Sequence, residues 1–240
     1  MSANLRFAAR SRAALALLAT MSYQQSIWEA LPENLDPPDL ALRRAFLLEH
    51  ARAGARHGAH AGEAPGETAS SVLDVGCGEG QFAAALAQAG FAVVAVDVAA
   101  EALRRARARH PDLDLRLVPG EGDWPLADAS FDVVWAGETI EHVADTAGWL
   151  SQVRRVLRPG GSLLLSTPAH GRLALLGLAL SQRSFDTHFD PRADHLRFYT
   201  RRTLTRLLED FGFQDIHMRG AGGLPGARRL LLASARRSRF

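Results

Sequence analysis

The sequence predicts an α/β fold built on a doubly wound, mostly parallel sheet, and three observations predict it. Strand-like and helix-like segments alternate from residue 72 to residue 166, the pattern of successive β-α-β units. Segments such as Ala92-Val93-Val94-Ala95-Val96 are unbroken apolar runs, as expected of central parallel strands covered on both faces. The first strand runs into a turn with glycines at alternate positions, and a helical pattern follows at once. Such a turn brings bare backbone close to a ligand, and the free amides of the helix start favour a negatively charged group.

Taken in order, residues 1–28 contain no acid and carry Arg6, Arg10 and Arg12 ahead of an apolar run at 13–19 that is too short to span a bilayer. This reads as a surface helix or a frayed extension. Tyr23, Trp28 and a proline-rich turn at 32–38 precede a helix expected at 39–50, with Leu40, Ala41, Phe46, Leu47 and Leu48 as its buried positions. Residues 54–70 read as a loose connector rich in Gly, Ala, His and Pro.

Strands are then expected at 72–75, 92–96, 113–118, 131–136 and 162–166, and helices at 81–89, 100–109 and 146–157. Gly90 suits the position after a helix end, and Pro111 stops the next helix. Past 168 the rhythm breaks into a leucine-rich helical piece, 173–180, and a polar run that ends in Phe198-Tyr199. A helix at 201–211, a strand at 213–218, a glycine-rich loop and an apolar strand at 229–233 complete the chain. The arginines of the C-terminus are expected to flank an edge strand, where charge discourages unwanted pairing.

Composition narrows the chemistry. At 240 residues the chain suits one large domain or one domain with appendages, and its 47% hydrophobic and 22% charged fractions are ordinary for a globular protein. There is no lysine, which removes Schiff-base catalysis and any P-loop. The single cysteine, Cys77, rules out an internal disulfide and a cysteine-based zinc site, in keeping with a reducing, cytoplasmic compartment. A net charge of only +2 gives little reason to expect a nucleic-acid partner.

The turn reads Asp74-Val75-Gly76-Cys77-Gly78-Glu79-Gly80. The dinucleotide fingerprint is G-x-G-x-x-G, so here the third glycine comes one position early. Asp97 ends the second strand about 20 residues on, where an acid hydrogen-bonds ribose hydroxyls in nucleotide-binding sheets. Trp124-Pro125-Leu126, Phe131-Asp132-Val133-Val134, Glu138-Thr139-Ile140-Glu141-His142-Val143 and Leu157-Arg158-Pro159-Gly160-Gly161 follow. Together these segments resemble the class I S-adenosylmethionine (SAM) dependent methyltransferases, in particular the small-molecule type of the ubiquinone-biosynthesis O-methyltransferases.

That resemblance implies a seven-stranded sheet with an antiparallel last strand. N-terminal helices would lie over the cofactor cleft, a simple packing of the helix at 39–50 on the domain edge being the alternative, and the insertion at 168–200 would form a lid over the acceptor. It also implies an organisation into an N-terminal extension (1–38), a helix and connector (39–70) and a SAM-binding domain (71–240). The cofactor would be held by Asp74, Gly76, Cys77, Gly78 and Gly80, with Asp97 and Val98 at the ribose. Glu121, Gly122 and Asp123 fall in the adenine loop, with either acid able to take the amino group, and Glu138 falls at the methionine end.

His142, His170 and His195 are the candidate bases, needed only if the acceptor must lose a proton. Glu141 and His142 are neighbours, so only one of them should point into the cleft. No metal is expected: the residue types at 186–195 suit one, but their spacing matches no zinc or EF-hand pattern. A small-molecule acceptor methylated on oxygen is the first expectation, with nitrogen or carbon open, and oligomeric state is left open. The competing functions are an NAD(P) oxidoreductase, which the glycine spacing disfavours, and a non-catalytic SAM-binding module.

Overall fold

The computed structural model describes residues 23–58, 69–190 and 194–239. The expectation for residues 1–22 lies outside them. A seven-stranded sheet has the order β3-β2-β1-β4-β5-β7-β6. Its strands are β1 (Ser71–Val75), β2 (Ala92–Asp97), β3 (Asp114–Leu117), β4 (Phe131–Gly137), β5 (Leu157–Pro168), β6 (Phe213–Leu224) and β7 (Ala227–Arg237). The pairs among β1 to β5 are parallel, and β7 runs antiparallel to both β5 and β6. The expected seven-stranded sheet with an antiparallel last strand is therefore present.

The helices are α1 (residues 23–30), α2 (Leu40–Gly58), α3 (Gln81–Gln88), α4 (Ala100–Arg109), α5 (Thr146–Val156), α6 (Arg172–Ala179), α7 (Gln182–His188) and α8 (Arg201–Asp210). Alternation along the strands fills both faces of the sheet. Val134 and Ala136 join a core with Trp149, Leu150 and Val153 of α5 and Leu204 and Leu208 of α8. Val133 and Trp135 face the other way, onto Phe46 and Leu47 of α2 and Phe82 and Leu86 of α3. The heptad-like spacing of Leu204 and Leu208 gives α8 one buried stripe, and Thr200 with Thr203 closes its start as a reciprocal cap.

Several expectations are corrected. The helix expected at 39–50 continues to Gly58, so the first part of the expected connector is helix, and its residues 59–68 lie outside the described residues. Ala41 is exposed, and the buried stripe of α2 includes Arg43 instead. β5 starts at Leu157, with a register shift opposite residues 131–133, so the Arg-Pro-Gly-Gly segment is an irregular strand start and not a loop. The glycine-rich loop after residue 218 is largely strand: β6 reaches Leu224 and pairs with β7 almost to the turn. β7 is consequently an inner strand, and its flanking arginines do not guard an edge. Arg228, Arg236 and Arg237 bind carbonyls instead, Arg237 donating to Arg154 O at 2.7 Å at the end of α5, and Arg229 pairs with Asp39 at 2.9 Å. The polar run after α6 holds α7, which begins at a Ser181 cap.

Candidate active site

Strand order reverses between β1 and β4, and open α/β sheets bind ligands at such a switch point, beyond the carboxyl ends of the strands. A cleft of ≈ 210 Å³ lies there. Val75 and Gly76 follow from β1, Asp97 and Val98 from β2, and Val118 to Glu121 with Trp124 from the loop after β3. Glu138, Thr139, His142 and Val143 come from the segment after β4, Trp149 from α5 and Asp194 from the segment that precedes α8. Gln24, Ile27, Trp28 and Leu31 of the N-terminal segment line it as well.

The glycine turn is shaped by its neighbours. Gly76 has φ +72°, and a Cβ there would lie 2.6 Å from Thr139 Oγ1. Gly78 has φ +55°, and a Cβ would lie 3.0 Å from the Trp28 ring. Both positions need the left-handed freedom and the small size of glycine. The amides of Gly76 and Cys77 donate to Val96 O, which ties the turn to β2. Asp97 completes the tie: Oδ2 accepts from Gly78 N and Oδ1 from Ala99 N, each at 2.9 Å. Burial pushes the Asp97 carboxyl up, and these amides pull it back.

The N-terminal cover is anchored by arginine. Buried Arg105 donates to the carbonyls of Trp28, Leu31 and Pro32 and to Glu101, and lies 3.5 Å from buried Glu79. Glu79 also pairs with Arg109 at 2.6 Å and accepts from Asn34 N. Glu79, the third residue after Gly76, thus binds the turn to the cover and does not face the cleft. Arg43 links α2 to the other end of the site. Its Nε donates to Ser166 Oγ at 3.0 Å, and Ser166 in turn donates to Glu138 Oε1 at 3.0 Å.

Glu138 sits at φ +54°, a strained position for a non-glycine residue, in the wall of the cleft. Glu141, three residues on, is fully buried and accepts from Thr167 Oγ1, while its other oxygen has no partner. Burial first, and then the charge of Glu138, push Glu141 up to about 8. His142 points into the cleft, so the neighbours do diverge as their adjacency requires. Its Nδ1 lies 3.0 Å from Asp194 O and 3.4 Å from the Asp194 carboxylate. The His195 ring stands edge-on to that of His142 at 4.8 Å, and burial lowers its pKa. One ligand atom each of Glu141, His142 and His195 lie within 4.8 Å of one another, so this group could hold a divalent cation. The spacing rules for zinc and EF-hands could not find it, because His195 arrives from a distant segment.

Of the residues expected at the cofactor, Gly76, Asp97, Val98, Glu121 and Glu138 line the cleft. Asp74 does not: it is buried beneath α3 and accepts from the Ala83 amide. Cys77 is buried, with its thiol pushed well above its ordinary range by burial, which leaves it a small turn residue with an inert side chain. Gly78 and Gly80 shape the turn, the latter against His110 and Leu113. Gly122 stands in open space, and Asp123 turns to accept from Gln152 Nε2, so of the two acids only Glu121 lines the cleft. His170 is not at the cleft but packs on His188 and Phe198. Arg43, Arg105, Ser166 and Thr139 escaped the sequence reading. Only Arg43 leaves a signal there, on the helical face shared by Leu40 and Leu47.

With this geometry in place, comparison with known proteins decides the family: residues 40–218 match the family described as "Methyltransferase domain". The chain belongs to that family. A probable S-adenosylmethionine-dependent methyltransferase of Mycobacterium tuberculosis is 38% identical over 157 residues, which is 65% of this chain and 53% of the relative. A ubiquinone biosynthesis O-methyltransferase of Caulobacter vibrioides is 34% identical over 158 residues, 64% of this chain and 61% of the relative. The chain thus spans between half and two thirds of the length of these relatives. Among solved structures, a phosphoethanolamine N-methyltransferase of Haemonchus contortus in complex with S-adenosyl-L-methionine superposes with TM-score 0.62 and 18% identity, covering 91% of this chain and 57% of the other. At that identity the likeness is one of fold. With its strand order and the D-x-G-x-G-x-G turn, this member of the family is of class I. No helix among the described residues is long and apolar enough to cross a membrane.

Proposed function

We propose that the chain transfers a methyl group from SAM to a small-molecule acceptor, on oxygen in the first instance. The observation that carries this reading is a bare glycine turn, held by Asp97, in one cleft with Glu138 and His142. The residues fit SAM. Val98, Val118 and Trp124 offer apolar walls for a base, Asp97 keeps unused lone pairs for ribose hydroxyls, and Glu138 offers negative charge toward a cationic ligand. Bound SAM would supply a methyl group already activated as an electrophile on a sulfonium.

The protein's part is then to position, to exclude water and to move one proton. Holding nucleophile and electrophile in line supplies most of the acceleration in such a displacement. Trp28 and its helix cover the turn, as expected of the N-terminal region, and we assign acceptor selection to this cover and to residues 168–200. His142 suits the base: with Nδ1 donating to Asp194 O, Nε2 is left unprotonated and able to accept from an acceptor hydroxyl.

The unpartnered oxygen of Glu141 favours an alternative in which His142 Nε2 is a ligand and not the base. A divalent cation held by Glu141, His142 and His195 would lower the pKa of an acceptor hydroxyl beside it. O-methyl transfer from radiolabelled SAM to a panel of phenols and alcohols tests the main reading. Transfer to none of them, with SAM bound, would make the chain a binding module instead.

A further inference from the structure

We propose that His170 and His188 form a site for a divalent transition metal such as Zn²⁺, separate from the cleft. His170 lies two residues past the end of β5 and is only 8% exposed. His188 is the last residue of α7 and is half-buried. The centroids of the two rings are 5.5 Å apart, with the planes inclined at 53°. Two imidazoles bound to one tetrahedral ion at about 2.1 Å have centroids roughly 5.3 Å apart, so the pair is spaced for a shared ion.

The ring nitrogens supply the second observation. His170 Nδ1 and His188 Nε2 are both buried, and neither has a hydrogen-bond partner. Buried polar atoms are normally paired, so two orphans on adjacent rings call for a common ligand. The surrounding rings cannot act as one: Phe198 packs on His170 at 5.0 Å and on His188 at 5.5 Å, and Phe189 packs on His188 at 4.9 Å. A phenylalanine at either position would keep that packing without burying a bare nitrogen. Donor type selects the ion. Two neutral imidazoles suit Zn²⁺, Ni²⁺ or Cu²⁺ and offer nothing to Mg²⁺, which takes oxygen. Asp186, the acid of α7, is turned to Gln182 instead. The pair thus differs from Glu141, His142 and His195, whose carboxylate admits Mg²⁺ as well. Water completes the coordination from the open side at His188, and the bound ion ties α7 to the end of β5.

The test is calorimetric titration of the untagged 240-residue chain with Zn²⁺ in excess Mg²⁺. One Zn²⁺ site is expected that His188→Phe weakens about tenfold or more and His195→Ala leaves intact. His188 is half-buried among aromatic rings, so His188→Phe should melt as the parent does. Limited proteolysis gives a second readout, since Arg183 is exposed on α7. Zn²⁺ should slow tryptic cleavage after Arg183 several-fold in the parent and not in His188→Phe. A Zn²⁺ site unchanged by His188→Phe, or one lost with His195→Ala, would place the metal elsewhere and overturn the inference. No Zn²⁺ binding at all would overturn it in favour of a water shared by the two nitrogens.

Discussion

Asp97 Oδ2 accepts the Gly78 amide at 2.9 Å, so the acid that ends the second strand also holds the turn that ends the first. One carboxylate therefore sets the turn and keeps lone pairs toward the cleft. Asp97→Ala should weaken binding of S-adenosylhomocysteine by about 1.5–3 kcal/mol, the value of a lost charge-assisted hydrogen bond. Calorimetric titration checks it, and unchanged affinity would remove the ribose role.

Gly78→Ala tests the turn itself. A side chain there must adopt φ +55° against the Trp28 ring, so the variant should lose about 1–2 kcal/mol of stability. Trp28→Ala should restore room but not backbone freedom, so the double variant is expected to recover only part of that loss in a urea titration.

Asp74 gives the chain a pH-dependent stability. Burial, and then the charge of Asp97, push its carboxyl up to about 7. An acid whose pKa is higher folded than unfolded binds its proton more tightly in the folded state. Stability should therefore be fullest below about pH 4 for this group and fall as pH rises to about 7. Asp74→Asn should flatten that fall and be more stable than the parent at pH 8 by up to a few kcal/mol, measured by denaturant titration across pH.

The sheet and its motifs could be read ahead of the coordinates because each rests on local pattern. The apolar runs of β2 and β4, the alternate glycines and Asp97 carry their roles within a few residues. What could not be read depends on segments distant in sequence. Arg105 anchors the N-terminal cover through three carbonyls more than 70 residues away, and His195 meets His142 from a segment far along the chain. The β6–β7 hairpin overrode a glycine-rich composition because strand pairing satisfied its backbone, leaving the turn at residues 225–226.

If Glu141, His142 and His195 hold a cation, chelation by EDTA should lower methyl transfer about tenfold or more, and Mg²⁺ or Mn²⁺ should restore it. His195→Ala should abolish the restoration and leave S-adenosylhomocysteine affinity unchanged, since His195 does not line the cleft. Activity indifferent to chelation would leave His142 as a base without a metal.

The central claim is that this cleft holds SAM, and calorimetry of the parent chain with S-adenosylhomocysteine and, separately, with NAD(H) tests it most directly. The account predicts saturable one-to-one binding of S-adenosylhomocysteine, weakened by Asp97→Ala, and no heat with NAD(H). Tight binding of NAD(H) with no response to S-adenosylhomocysteine would contradict it.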